Sequence, residues 1–201
     1  YYLTRLYVEQ QRYQEAQVYV DSLLESVATG RQPHLSEARE IVRNCIDSIS
    51  SNSNAMFWLT RIRHEDAYTA EHCVRVGILA ITFGRAVGLD DTQLETIGLC
   101  GMLHDVGKMR VPPEILNKAG ALSAEEWQLM RRHAEYGFEL LGSEHQLDPD
   151  IREAALSHHE RLDGKGYPQA LTGQSISQFT RMITIVDAYD AMTSNRPHKE
   201  S

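Results

Sequence analysis

Cysteine is scarce in this chain. Cys45, Cys73 and Cys100 are the whole complement, odd in number and with no CxxC pair. That pattern fits reduced thiols in a cytoplasm better than a disulfide framework. Positive charge is also short, with 20 Lys and Arg against 28 Asp and Glu and a net charge of -8. A polyanion partner wants a basic surface, so no polymeric nucleic acid is expected; a small anionic substrate remains compatible if cations gather locally. No apolar run is long enough to span a bilayer, and no signal-peptide pattern opens the chain. Methionine is missing from the first position, where Tyr1 stands, so a fragment or processed chain is expected, and an upstream regulatory domain is compatible with that. What remains is ordinary for a globular protein: 201 residues, 42% hydrophobic and 24% charged, enough for one well-buried core with a flanking helical segment.

Strand-type alternation is missing too, and the patterns present are helical. Tyr1 to Thr29 reads as one helix stopped at Gly30. Leu6, Tyr13, Val20 and Val27 recur every seven residues, as do Tyr2, Ala16 and Leu23, with Glu9 breaking the second series. Such a seam can dimerise a chain or transmit a signal, and it can equally pack on the next helix. That next helix carries Ala38, Ile41, Val42, Cys45, Ile46 and Ile49 on one face, and Ser50 to Asn54 reads as a break after it. Amphipathic helices follow, one with Val74, Ile78 and Leu79, another with Leu94, Ile97 and Met102 that Gly107 stops. Ser123 and Glu126 form a capping box for a helix through Trp127, Met130 and Phe138. Asp148-Pro149-Asp150 opens a helix running into His158 and His159, and a last helix holds Phe179, Met182, Ile183 and Val186. The expected fold class is all-α.

Two blocks carry chemistry. His104-Asp105 precedes Val106-Gly107-Lys108 at a helix end. Imidazole nitrogen and carboxylate oxygen both suit divalent metals, and a carboxylate can bridge two cations where an imidazole holds one. A buried hydrogen-bonded pair near a helix end would look the same. The second block runs His158-His159-Glu160-Arg161-Leu162-Asp163-Gly164-Lys165-Gly166-Tyr167-Pro168. Side-by-side polar rings are a poor choice for a core, since each must find buried partners. Singly, the glycines are explicable as turn chemistry, and the histidines as complements to a helix dipole.

Together these blocks resemble the HD-GYP phosphodiesterases. Residues 158 to 168 match the HHExxDGxGYP signature at every fixed position, and His104, Asp105, Gly107 and Lys108 match HDxGK. The similarity runs from about His64 to Lys199. The resemblance implies an HD-type helical bundle over residues 61–201, expected to run on past Ser201, behind a helical linker or signalling segment over 1–60. It implies a metal set of His72, His104, Asp105, His133, His158, His159 and Asp187, with Asp105 bridging two divalent ions. Nitrogen and oxygen donors suit iron or manganese, with zinc and nickel compatible. Asp190, one turn beyond Asp187, is placed to orient a ligand. The implied reaction is hydrolysis of cyclic di-GMP to the linear dinucleotide pGpG, and onward to GMP, by a hydroxide bridging the metals. Asp105 and Lys108 are the catalytic candidates; Lys108, Tyr167, Arg196 and Lys199 are the candidates for substrate contact.

Two positions depart from the family. Tyr68 stands where some members carry a glutamate that binds a third metal, so two metals are expected. His198 replaces tyrosine in the segment matching TSxRPYK. Another cyclic dinucleotide as substrate, or a non-catalytic receptor using the same pocket, are the alternatives.

Overall fold

The structure, a computed structural model, describes residues 2–31, 35, 37–60, 68–142 and 147–193, with the backbone alone for 2–6, 52–55, 57–58 and 68–69. Nine α-helices are found among the described residues: α1 (Tyr2–Ala28), α2 (Ala38–Leu59), α3 (Tyr68–Ala86), α4 (Asp91–Leu103), α5 (Pro113–Leu116), α6 (Ala124–Arg131), α7 (His133–Leu141), α8 (Pro149–Ser157) and α9 (Gln178–Thr193). A 3₁₀ turn over Val106–Arg110 follows α4, and another over Gly173–Ser175 precedes α9. Among the described residues there is no strand, only one antiparallel bridge between Asp163 and Thr172.

α3 is the centre of the packing. It lies against α1, α2, α4 and α9, while α8 sits across α4, α7 and α9. The fully buried side chains include Ile78 and Ile81 of α3, Leu94, Ile97 and Leu99 of α4, Leu141 of α7, Ile151 of α8 and Ile183 of α9. Burying each contributes about 1.5–3 kcal/mol relative to exposure. Glycine decides how closely α3 and α4 approach: a Cβ at Gly101 would sit 2.6 Å from Gly77 Cα. Near-contact of the two backbones brings the start of α3 close to the end of α4, where the His-Asp pair lies.

From Tyr13 onward the seven-residue repeat of α1 is spent inside the chain. Tyr13, Ala16, Val20, Leu23 and Val27 are buried, and the interrupting Glu9 faces inward with them, 4% exposed. α1 packs on α2, on α3 and on the 3₁₀ turn over Val106–Arg110. Two expectations need correction. Ser50 to Asn54 is no break: α2 runs on to Leu59, because Ser50 and Ser51 donate their hydroxyls to the carbonyls of Ile46 and Asp47, and Met56 and Leu59 are buried beyond. The helix opened by Ser123 does not continue through Phe138. Its capping box is present, but the chain kinks at Arg132, whose N–H bonds the carbonyls of Leu129 and Met130 in a tightened turn. α7 begins afresh at His133. No residue of α6 is buried, so the stripe through Trp127 is not a core face.

Candidate metal centre

Five elements end or turn at one buried point. His72 lies on the second turn of α3, His104 caps the end of α4, His133 opens α7, His158 caps α8, and Asp187 projects from α9. Asp105 stands at the N-cap position of the 3₁₀ turn but makes no capping bond, so its carboxylate is left for the interior. Gly107 keeps this turn in place: a Cβ there would collide with the His133 carbonyl and the Gly137 backbone of α7.

The donor atoms fall into two clusters, each within a span of 4.8 Å: His72, His104 and Asp187; and Asp105, His133, His158 and His159. The Asp105 carboxylate joins them. Its Oδ2 is 3.6 Å from His72 Nε2 and 3.3 Å from His104 Nε2, whereas its Oδ1 is 3.5 Å from His133 Nε2 and 3.6 Å from His158 Nε2. His72 Nε2 and Asp187 Oδ1 are 3.2 Å apart. One carboxylate therefore turns one oxygen to each cluster.

Behind four of the five rings, Nδ1 has an acceptor. His72 Nδ1 is 2.7 Å from Asp190 Oδ2, His104 Nδ1 is 2.7 Å from the Gly101 carbonyl, and His133 Nδ1 is 2.7 Å from the Met130 carbonyl. His158 Nδ1 lies 3.1 Å and 3.0 Å from the carbonyls of Ala154 and Ala155. For His104, His133 and His158 the partner is a carbonyl oxygen, which only accepts, so the proton sits on Nδ1 and the Nε2 lone pair faces inward, the tautomer a metal ligand needs. His133 Nε2 and His158 Nε2 then face each other at 3.3 Å with lone pair toward lone pair, an arrangement that favours a cation between them. His104 Nε2 and Asp105 Oδ1 are buried without hydrogen-bond partners among the described residues. Orphaned buried polar atoms are costly unless something of opposite character meets them. These residues fit divalent cations.

The electrostatics agree. Burial pushes His133 down to about 4, against the pull of Asp105 and with repulsion from His158. Burial and the neighbouring His158 and His133 push His159 lower still, so both rings are neutral ligands at neutral pH. Burial opposes ionisation of Asp105, yet Lys108 and His104 hold its carboxyl well below the usual range. Burial also opposes ionisation of Asp187, but the His72 hydrogen bond and His104 outweigh it. At His104 burial disfavours the charged ring, and the Asp105 carboxylate still raises its pKa. A field that draws a proton onto a buried imidazole also draws a metal cation. Lys108 Nζ sits 2.5 Å from Asp105 Oδ2, its charge spent on that carboxylate here.

The mouth of the site is aromatic. Tyr167 stacks on His159 with ring centroids 4.7 Å apart and planes 25° off parallel. The Arg131 guanidinium stands 5.0 Å above the Tyr167 ring and 6.0 Å from the exposed Trp127. Glu160 folds the loop that carries Tyr167: its buried carboxylate accepts from the N–H groups of Gln169 at 2.6 Å and Leu171 at 2.9 Å. All seven expected metal residues thus converge, with Lys108 and Tyr167 beside them. Arg196, Lys199 and His198 lie outside the described residues, as does the Tyr68 side chain. Sequence reasoning missed Arg131, Glu160 and Arg75, the last of which clamps Asp190. Glu160 is a fixed position of the HHExxDGxGYP signature and Arg131 stands two residues before His133, but neither position gives its contacts.

A helical domain that gathers five histidines and Asp187 around the Asp105 carboxylate has the donor set of a divalent-metal site. The chain is a member of the HD domain family, whose family model matches residues 23–201. It is 38% identical to a cyclic di-GMP phosphodiesterase of Pseudomonas aeruginosa, over 92% of this chain and 45% of that protein. It is 34% identical to the 3'3'-cGAMP-specific phosphodiesterase 2 of Vibrio cholerae, over 81% of this chain and 29% of that one. A cyclic di-GMP phosphodiesterase response regulator of Xanthomonas campestris pv. campestris is 36% identical over 70% of this chain and 37% of its own. The chain therefore spans less than half the length of these curated relatives. Among solved structures, an HDG"Y"P protein from Bdellovibrio bacteriovorus shares the fold with a TM-score of 0.76 at 18% identity, over 90% of this chain and 59% of that one.

Proposed function

We propose that this chain is the catalytic domain of a cyclic di-GMP phosphodiesterase working with two divalent metal ions. The observation that carries the proposal is the Asp105 carboxylate, with one oxygen turned to each of two histidine-rich clusters. The relatives' names support the substrate class, as each is a phosphodiesterase for a cyclic dinucleotide. His72, His104 and Asp187 would hold one ion and His133, His158 and His159 the other, with Asp105 shared; the donor set favours iron or manganese. Bound there, the ions would supply charge neutralisation at the phosphodiester and a water acidic enough to act at neutral pH.

The chain's own residues do the rest. Asp190 and four backbone carbonyl groups, those of Gly101, Met130, Ala154 and Ala155, keep protons on the outer nitrogens and aim the inner lone pairs. Lys108, next to Asp105, is placed to exchange its carboxylate partner for a substrate phosphate. Tyr167 offers a ring face for a base, Arg131 a nearby cation, and we assign Arg196 and Lys199 to the same phosphate and base contacts. The products proposed are pGpG and then GMP, formed in the cytoplasm. Residues 1–60 are proposed as the segment coupling the 61–201 domain to an upstream regulatory domain. A homodimer through α1 would use its outer face, where Tyr7, Val8 and Val18 are exposed.

The 34% identity to a 3'3'-cGAMP-specific enzyme favours one second reading, hydrolysis of that mixed dinucleotide. Metal-loaded protein incubated separately with cyclic di-GMP and 3'3'-cGAMP, with products resolved by chromatography, decides between them. Faster loss of cyclic di-GMP with pGpG appearing supports the proposal. Preference for 3'3'-cGAMP supports the second reading, and turnover of neither leaves only a receptor.

A further inference from the structure

The two clusters are held in place by different means. In the second, His133 is oriented by the Met130 carbonyl at the end of α6 and His158 by carbonyl groups of its own helix α8, which no side-chain substitution removes. In the first, His104 is likewise oriented by a backbone carbonyl, that of Gly101, but His72 depends on a side chain from another helix, Asp190 of α9, at 2.7 Å. Asp190 is in turn gripped by Arg75, whose Nε donates to Oδ1 at 2.8 Å and whose Nη2 donates to Oδ2 at 3.1 Å. Arg75 Nη1 also lies 3.3 Å from Glu71 Oε2. The side chains of Arg75 and Glu71 are each 3% exposed and that of Asp190 is 5% exposed. Taking such charges out of water costs several kcal/mol per ion, so a cluster like this is weak evidence of stabilisation as such.

Its position suggests another use. Arg75 is one turn beyond His72 on α3, and Asp190 is one turn beyond Asp187 on α9. The fork between them fastens together the two helices that supply His72 and Asp187, side by side at 3.2 Å. A planar guanidinium fixes both the separation and the rotation of a carboxylate, which a lysine ammonium cannot do.

We infer that Arg75 is a positioning residue that sets the metal affinity of the first cluster alone, acting through Asp190 and His72. The inference rests on the two-metal reading above and adds an asymmetry to it: one ligand of the first ion, His72, is held through a breakable side-chain relay, whereas His133 and His158 of the second are held through backbone.

The test is titration of metal-stripped protein with Mn(II), by equilibrium dialysis with elemental analysis. Wild type should bind two ions per chain. Arg75→Lys keeps the charge and loses the fork; it should weaken one ion about 10- to 100-fold and leave the other unchanged. His72→Ala removes the same site, so adding Arg75→Lys to it should do nothing more. In metal-free protein, long-range ¹H–¹⁵N spectra should show the His72 ring losing its fixed Nδ1–H tautomer in Arg75→Lys. Two ions bound by Arg75→Lys as tightly as by wild type would overturn the inference and spare the two-metal reading. Equal weakening of both ions, or further weakening in the His72→Ala background, would also overturn it. Fewer than two ions on wild type would sink the reading and the inference with it. Should Arg75→Lys fail to fold, Asp190→Asn keeps the size and an acceptor oxygen without the ion pair, and the same outcomes apply.

Discussion

At the scale of single residues, the site was legible wherever chemistry crowded into a short block. His104 with Asp105, and His158 with His159, stand out because adjacent polar groups need partners that an ordinary core does not supply. His72, His133 and Asp187 were singled out through the resemblance; the helical faces of His133 and Asp187 agreed with it, but a lone histidine or aspartate on a helix is equally well a satisfied core residue. The roles of Arg75 and of Glu160, the latter a fixed position of the signature, were not legible: each acts on a group from a distant turn or helix, a relation that spacing does not encode. Tyr13 belongs with them. Its hydroxyl is buried without a hydrogen-bond partner among the described residues, and burial and the nearby Glu71 raise its pKa. Tyr13→Phe removes a desolvated hydroxyl and should stabilise the fold by about 1 kcal/mol; loss of stability in denaturant titration would show that the hydroxyl is satisfied. For Arg196, a substrate contact made equally in ground and transition states predicts that Arg196→Ala raises KM about ten-fold and leaves kcat and metal content near wild type. Its KM should also depend less on salt. Lost metal, or an unchanged KM, would remove Arg196 from the substrate.

Individual elements were legible in kind and less so in extent. The buried faces of α1, α2, α4 and α9 follow their apolar spacing, and the capping box at Ser123 is present as expected. The serines of α2 misled because hydroxyls that favour turns were satisfied by bonding back to their own helix. The kink at Arg132 was hidden because no proline or glycine marks it, although it sets the direction in which His133 enters the site. Gly107 looked like a helix stop and is better understood as a point of contact with α7. Gly107→Ala must push α7 away from the 3₁₀ turn, at a cost of about 3 kcal/mol or more. Thermal unfolding should show that loss together with weaker metal binding by His133. A variant of wild-type stability would mean that the turn and α7 have room to separate.

For the whole molecule, five elements surround one buried carboxylate, and α1 packs on the 3₁₀ turn that carries it. The all-α class could be read from periodicity alone, whereas the convergence of helix ends on Asp105 could not, because it depends on close approaches such as Gly77 to Gly101. The central claim is that Asp105 joins two metal ions. Elemental analysis of metal-replete protein, paired with anomalous scattering from its crystals, tests it most directly. The predicted result is two ions per chain, one on each side of Asp105, with both lost in an Asp105→Ala variant that keeps its helical circular dichroism. One ion or none in wild type, or two ions retained by Asp105→Ala, would contradict it.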